Sequence, residues 1–143
     1  MKVLILNGPN INFIGIREKD LYGLTSYNEL LNDIEKWAKE LNLSVEVFQS
    51  NHEGALIDKI QQSYKKVDYI VINGGGYSHT SIALLDALKA VSIPYIEVHL
   101  TKISEREKFR HFSYLSLAAK EVIEGKGIEG YHEALMKIAR EKK

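Results

Sequence analysis

The chain has 143 residues, no cysteine, 27% charged residues and a formal net charge of zero. That balance excludes a basic field for nucleic acid or an anionic membrane, and the missing thiols exclude disulfides, thiolate catalysis and cysteine-ligated zinc. Apolar content of 45% is that of an ordinary globular chain long enough to bury a core, and no apolar run approaches the ~20 residues that cross a bilayer. Asn7, Gly8 and Pro9 break the N-terminal apolar run too early for a signal peptide. One cytoplasmic domain over residues 1–143 is the expectation.

Val3 to Leu6 reads as a buried first strand, which Gly8 and Pro9 stop and turn. A long polar loop follows, carrying Arg17 and Tyr22 and closing on Gly23. Loops of that length in a compact domain are usually lids or binding loops. Thr25 or Ser26 caps a helix over 27–41, in which Leu30, Leu31, Ile34, Trp37, Ala38 and Leu41 recur at helical spacing. Ser44 to Gln49 is a second strand, and Ala55 to Tyr64 a short helix with Leu56, Ile57 and Ile60 inward. Asp68 to Asn73 is a third strand, ended by three glycines. Ser78 to Val91 is read as one helix with Ile82, Leu84, Leu85 and Leu88 inward, and Pro94 to Leu100 as strand four. The charged stretch 101–111 is part loop and part helical turn, and Phe112 to Ala119 a short helix. Glu121 to Glu124 is a fifth strand or a continuation of that helix, and an amphipathic helix runs from about Glu129 to Arg140.

Strands alternating with helices, the strands apolar through their centres, imply a parallel sheet covered on both faces. The expected fold is a doubly wound α/β domain. In such sheets ligands bind beyond the carboxyl ends of the strands, and the unusual polar residues collect there. Asn10, Asn12, Arg17 and Tyr22 follow strand one; Asn73, the glycines, Ser78, His79, Thr80 and Ser81 follow strand three; Glu97, His99, Thr101, Arg106 and Arg110 end or follow strand four. A flavodoxin-like order of 2-1-3-4-5 brings these three exits together.

Glu97 and His99 stand two apart on a strand and share a face. They form either an acid/base pair, in which the carboxylate orients and charges the imidazole, or a structural polar pair. The glycine run is either backbone that approaches an anion at a helix start or a flexible turn. Without a Walker lysine or a G-x-G-x-x-G spacing, a nucleotide site is weakly supported. Ser78 and Ser81 lack a nucleophile elbow and read better as helix caps than as hydrolase nucleophiles. Arg106 and Arg110 form a solvated charged face or, together with Arg17, grip a shared anion. No histidine spacing points to a metal. Tyr22 is an apolar plug or a base; lowering its phenol from ~10 toward 8 requires roughly 3 kcal/mol, within reach of one close guanidinium.

Taken together, the stretches LNGPNINFIGIRE with Tyr22-Gly23, FQSNHEG at 48–54, NGGGYSHTS at 73–81, IPYIEVHL at 93–100 and REKFRHFSYLS at 106–116 resemble the type II 3-dehydroquinate dehydratases. The resemblance implies a flavodoxin-like fold and cofactor-free, metal-free dehydration of 3-dehydroquinate in the shikimate pathway, through an enolate. It implies Tyr22 as base, Arg17 as the group that lowers its pKa, His99 as acid, Glu97 as its orienter and Asn10 at the enolate oxygen. Asn73, Leu100 and Thr101 would bind the carboxylate. His79, Arg110 and Asp86 would hold ring hydroxyls, the aspartate coming from a neighbouring subunit, and Arg106 would support the lid. It further implies trimers stacked into a dodecamer. Lys19, Gly74, Lys102 and Phe112 depart from the family's usual residues without removing a proposed catalytic group.

Overall fold

A computed structural model describes residues 1–16, 18–22 and 24–141, the side chains of Leu21 and Tyr22 excepted. Five strands, β1 (Lys2–Asn7), β2 (Ser44–Gln49), β3 (Tyr69–Asn73), β4 (Tyr95–His99) and β5 (Glu121–Glu124), form one parallel sheet in the order β2-β1-β3-β4-β5. Around it lie the helices α1 (Lys19–Tyr22), α2 (Tyr27–Glu40), α3 (Glu53–Gln62), α4 (Ile82–Val91) and α5 (Glu129–Glu141). This is the flavodoxin-like order expected from the sequence.

The two-residue period of the strands sorts the core into two layers. Val3, Ile5, Val71, Ile96 and Val98 pack against α2 and α5 through Leu30, Ile34, Leu135 and Ile138. Leu4, Leu6, Ile70, Ile72 and Tyr95 pack against α3 and α4 through Leu56, Ile60, Leu84 and Leu88. Each fully buried Leu or Ile contributes about 1.5–3 kcal/mol of transfer free energy. Asn7 and Asn73 continue the first register, and Glu97 and His99 the second, at the same end of the sheet.

Of the two possible caps for α2, Ser26 serves: its hydroxyl accepts from the Glu29 amide at 3.1 Å, and the Glu29 carboxylate accepts from the Ser26 amide at 3.4 Å. Three expected boundaries move. First, α3 begins at Glu53 rather than Ala55 and takes in Gly54; a carboxylate in its first turn suits the helix dipole. Second, the helix expected over Ser78–Val91 is two pieces, a 3-10 turn at Gly75–His79 and α4 from Ile82. Extended Ser81 separates them, its hydroxyl capping the Leu84 amide at 2.9 Å, and Ile82, expected inward, is exposed. Third, the helix expected over Phe112–Ala119 is only a 3-10 turn at Tyr114–Leu117, because the hydroxyls of Ser113 and Ser116 are drawn to Glu97. Glu121–Glu124, which the sequence left open, is a strand, pairing Ile96 with Glu121 and His99 with Glu124.

Candidate active site

The loops leaving β1 and β3 lie against each other. The Gly8 amide donates to the Asn73 carbonyl at 2.8 Å, and a Cβ on Gly8 would stand 2.3 Å from the Gly74 carbonyl oxygen, so no other residue fits. Asn10 follows in the left-handed region (φ 68), a conformation that Asn tolerates better than most residues. Its amide is held by Asn51 Oδ1 at 3.1 Å. Further along, Gly15 lies against the residue before the α2 cap: a Cβ on Gly15 (φ +82) would lie 2.8 Å from the Thr25 carbonyl oxygen.

Between these exits and that of β4 lies a cavity of about 170 Å³, the size class that takes a six-membered ring, since a ~150 Å³ cavity holds benzene. Eight of the expected site residues line it: Asn10, Asn73, His79, His99, Leu100, Thr101, Arg106 and Arg110. Glu97 stands directly behind His99. Asp86 is exposed on α4 and is not brought to the cavity of its own chain. Arg17 and the side chain of Tyr22, the expected base and its partner, lie outside the described residues.

Glu97 is fully buried in the middle of an apolar strand, which costs several kcal/mol unless the charge is compensated. Three donors compensate it. His99 Nε2–H donates to Oε2, Ser113 Oγ donates to Oε2 at 2.5 Å, and Ser116 Oγ donates to Oε1 at 2.5 Å. Burial pushes the carboxyl up, but the His99 bond and charge, followed by the two serine hydroxyls, outweigh it and hold Glu97 below the usual carboxylate range. The anion in turn fixes the imidazole: Nε2 carries the proton shared with Glu97, which sets the orientation of the ring.

His79 faces His99 across the cavity, ring centroids 6.2 Å apart. Its Nδ1–H donates to the Phe112 carbonyl at 2.8 Å, leaving Nε2 as an acceptor. Burial lowers its pKa; the Phe112 bond opposes this, and the nearby His99 and Arg110 charges add to the lowering. Arg106 and Arg110 are not stacked on one helix. Arg106 is extended between 3-10 turns at Ile103–Glu105 and Lys108–Arg110. Glu107 gathers both guanidiniums, Arg106 Nε at 3.4 Å and Arg110 Nε at 3.3 Å, and Arg106 Nη1 donates to Thr101 Oγ1 at 3.1 Å. Two cations, two imidazoles and backbone turns make a wall suited to a small, hydroxylated anion.

Other readings of the same residues lose ground. Ser81 is spent as a cap and as a donor to Glu53, and Ser78 is fully buried and not part of the cavity wall, so neither stands as a nucleophile. The glycine run opens a 3-10 turn rather than a helix, and the Gly75 amide is already taken by Asn73 Oδ1 at 3.2 Å.

The model of the family described as Dehydroquinase class II matches residues 1–139. The chain belongs to the class II dehydroquinase family. It is 54% identical over 135 residues to the 3-dehydroquinate dehydratase of Caldicellulosiruptor bescii, covering 94% of this chain and 93% of that one. To the 3-dehydroquinate dehydratase of Lachnospira eligens it is 51% identical over 147 residues, covering 99% and 100%. The type II dehydroquinase structure from Butyrivibrio crossotus superposes with a TM-score of 0.94 at 49% identity, covering 98% and 97%.

Within this class II dehydroquinase, two groups of residues beside the site escaped the sequence reading. Ser113 and Ser116 sit sixteen and nineteen positions beyond Glu97, and nothing local marks them as its partners. The second group is Asn7, Tyr27 and Tyr131, linked to Asn73 beneath the cavity. A polar Asn at the end of an apolar strand was the one available signal for it. Among the described residues, no helix is long and apolar enough to cross a membrane.

Proposed function

We propose that the chain dehydrates 3-dehydroquinate to 3-dehydroshikimate, without a cofactor and through an enolate, as a hydro-lyase of the shikimate pathway to aromatic amino acids. The observation that carries this reading is the His99–Glu97 pair, an imidazole in the cavity wall backed by a buried carboxylate, on a chain of this family. In the proposed reaction the Tyr22 phenolate, sustained by Arg17, takes the C2 proton, and the electron pair moves onto the carbonyl oxygen. Asn10 holds the water or charge at that oxygen. Collapse of the enolate forms the ring double bond and expels the C1 hydroxyl, which leaves as water with the proton of His99. The Tyr22 proton and the one lost from His99 then exchange with solvent.

Asn73 and the backbone at Leu100 and Thr101 bind the substrate carboxylate. His79 and Arg110 hold ring hydroxyls, and Arg106 supports the lid. Asp86 reaches the cavity of a neighbouring subunit in trimers stacked into a dodecamer. Support for this assembly comes from α4, where Ile82 and Asp86 share an exposed face one turn apart, and from exposed Phe109, Phe112 and Leu117. The same reading takes residues 1–143 as one catalytic domain working in the cytoplasm.

Adding 3-dehydroquinate to metal-free protein should produce the conjugated enone absorbance of the product, and a silent assay sinks the proposal. Borohydride with substrate should leave the protein mass unchanged, as no Schiff base forms. Tyr22→Phe and Arg17→Ala should each cut kcat far more than they weaken binding of a ring analogue.

A further inference from the structure

We propose that Tyr131 is a positioning residue that fixes the side-chain amide of Asn73 in the orientation that receives the substrate; the inference rests on reading Asn73 as a carboxylate ligand.

Asn7 and Asn73 end adjacent strands as direct partners in the ladder, and the strand period turns both toward α2 and α5. Both are buried. Each helix delivers one phenol to them: Tyr27 from the first turn of α2, and Tyr131, fully buried, from α5. Asn7 Nδ2 donates to Tyr27 Oη at 3.2 Å, so its Oδ1 faces the other way, where it accepts the Tyr131 hydroxyl proton at 2.7 Å. A phenol carries a single proton. With that proton committed to Asn7, Tyr131 can only accept from its other neighbour, and Asn73 Nδ2 donates to it at 3.0 Å. Asn73 Oδ1 is taken by the Gly75 amide at 3.2 Å.

The direction of every bond in the chain follows from its neighbours. A flipped Asn73 would set Oδ1 against a phenol with no proton to give and Nδ2 against an N–H. The amide is therefore locked, and the second Nδ2 hydrogen remains as a neutral donor for a carboxylate oxygen at the cavity wall. The lock does not titrate in the working range, since burial raises the Tyr131 phenol far more than the Asn73 bond lowers it.

Tyr131→Phe keeps the ring and removes the acceptor. The expected result is a KM about tenfold higher, the size of one hydrogen bond, with kcat changed less than about threefold and the ratio constant across neutral pH. In an Asn73→Ala background the same substitution should change KM no further. Asn7→Leu frees the Tyr131 proton to reverse the chain and should also raise KM at steady kcat; it carries the test if Tyr131→Phe fails to fold. The Asn73 side-chain amide resonances, followed by NMR, should exchange faster with solvent in Tyr131→Phe. An unchanged KM, or an effect that persists undiminished in the Asn73→Ala background, overturns the proposal in favour of a purely structural phenol. If Asn73→Ala alone leaves KM unchanged, the carboxylate reading of Asn73 falls and the binding role of Tyr131 with it. Unaltered amide exchange in Tyr131→Phe refutes the lock itself.

Discussion

Two polar clusters lie on opposite faces of one sheet, at the same end, and they are built on different principles. On the α3/α4 face, Glu97 gathers His99, Ser113 and Ser116 around a buried charge. On the α2/α5 face, Asn7, Asn73, Tyr27 and Tyr131 form a chain of neutral groups. A buried charge responds to protons and strengthens the acidity or basicity of whatever it touches. A neutral chain responds only to geometry. On the reading proposed above, the charged cluster would govern turnover and its pH dependence, and the neutral one would govern how a ligand is seated.

The two clusters should part most widely at Glu97. Glu97→Gln keeps the shape and removes the charge, and kcat in the enone assay should fall about 10²-fold or more, within the range of general acid–base catalysis, with KM within a few-fold. The same substitution should flatten the acid limb of stability. Glu97 titrates lower in the folded chain than in the unfolded one, so the unfolded state binds more protons. Its contribution is present at neutral pH and is lost as pH falls through the carboxylate range toward the folded value. Urea unfolding at a series of pH values measures that slope.

Ser113→Ala with Ser116→Ala removes two donors and leaves the anion with His99 alone. Hydrogen bonds to charged groups are worth about 1.5–3 kcal/mol each, so denaturant unfolding should show a loss of that order per hydroxyl. The Glu97 carboxyl should titrate higher, and kcat should fall about tenfold.

Gly74 separates the two clusters and allows a finer cut. A Cβ there would meet Ser78 Oγ at 2.6 Å and Leu115 Cδ1 at 2.8 Å, and Leu115 lies between the two serines. Gly74→Ala should cost about 1–3 kcal/mol, as overpacking does, and disturb the charged side: kcat should drop while KM holds. A change in KM alone would place the strain on the neutral side instead.

The smallest effect expected is at His79. Burial lowers its pKa against the opposing Phe112 bond, so the unfolded chain takes up a proton that the folded chain resists. Stability should decline as pH falls from about 6.5 toward the folded value, and His79→Gln should remove that part of the slope in thermal scans.

Much of the molecule was legible in advance because it depends on near neighbours. Apolar strands of five or six residues alternating with amphipathic helices dictate a covered parallel sheet, whichever partner each strand finds. The i, i+2 spacing of Glu97 and His99 dictates that they share a face. The strand exits were readable for the same reason, and seven of the polar residues expected there do line one cavity. The misreadings are equally local: a periodic apolar pattern ran the helix of Val91 back to Ser78, although Ser81, one of the two serines read as caps, is where it starts.

The sequence by itself determined a covered parallel sheet, the end of it at which the polar residues gather, and the shared face of Glu97 and His99, since pattern and spacing along the chain suffice for each; the strand order came with the family resemblance. Tertiary structure alone decided what makes that pair and its neighbours work. Ser113 and Ser116 reach Glu97 across a chain reversal, and Tyr131 reaches Asn73 across 58 positions. A buried polar group must find its partners wherever packing delivers them, and no periodicity along the chain records where that will be.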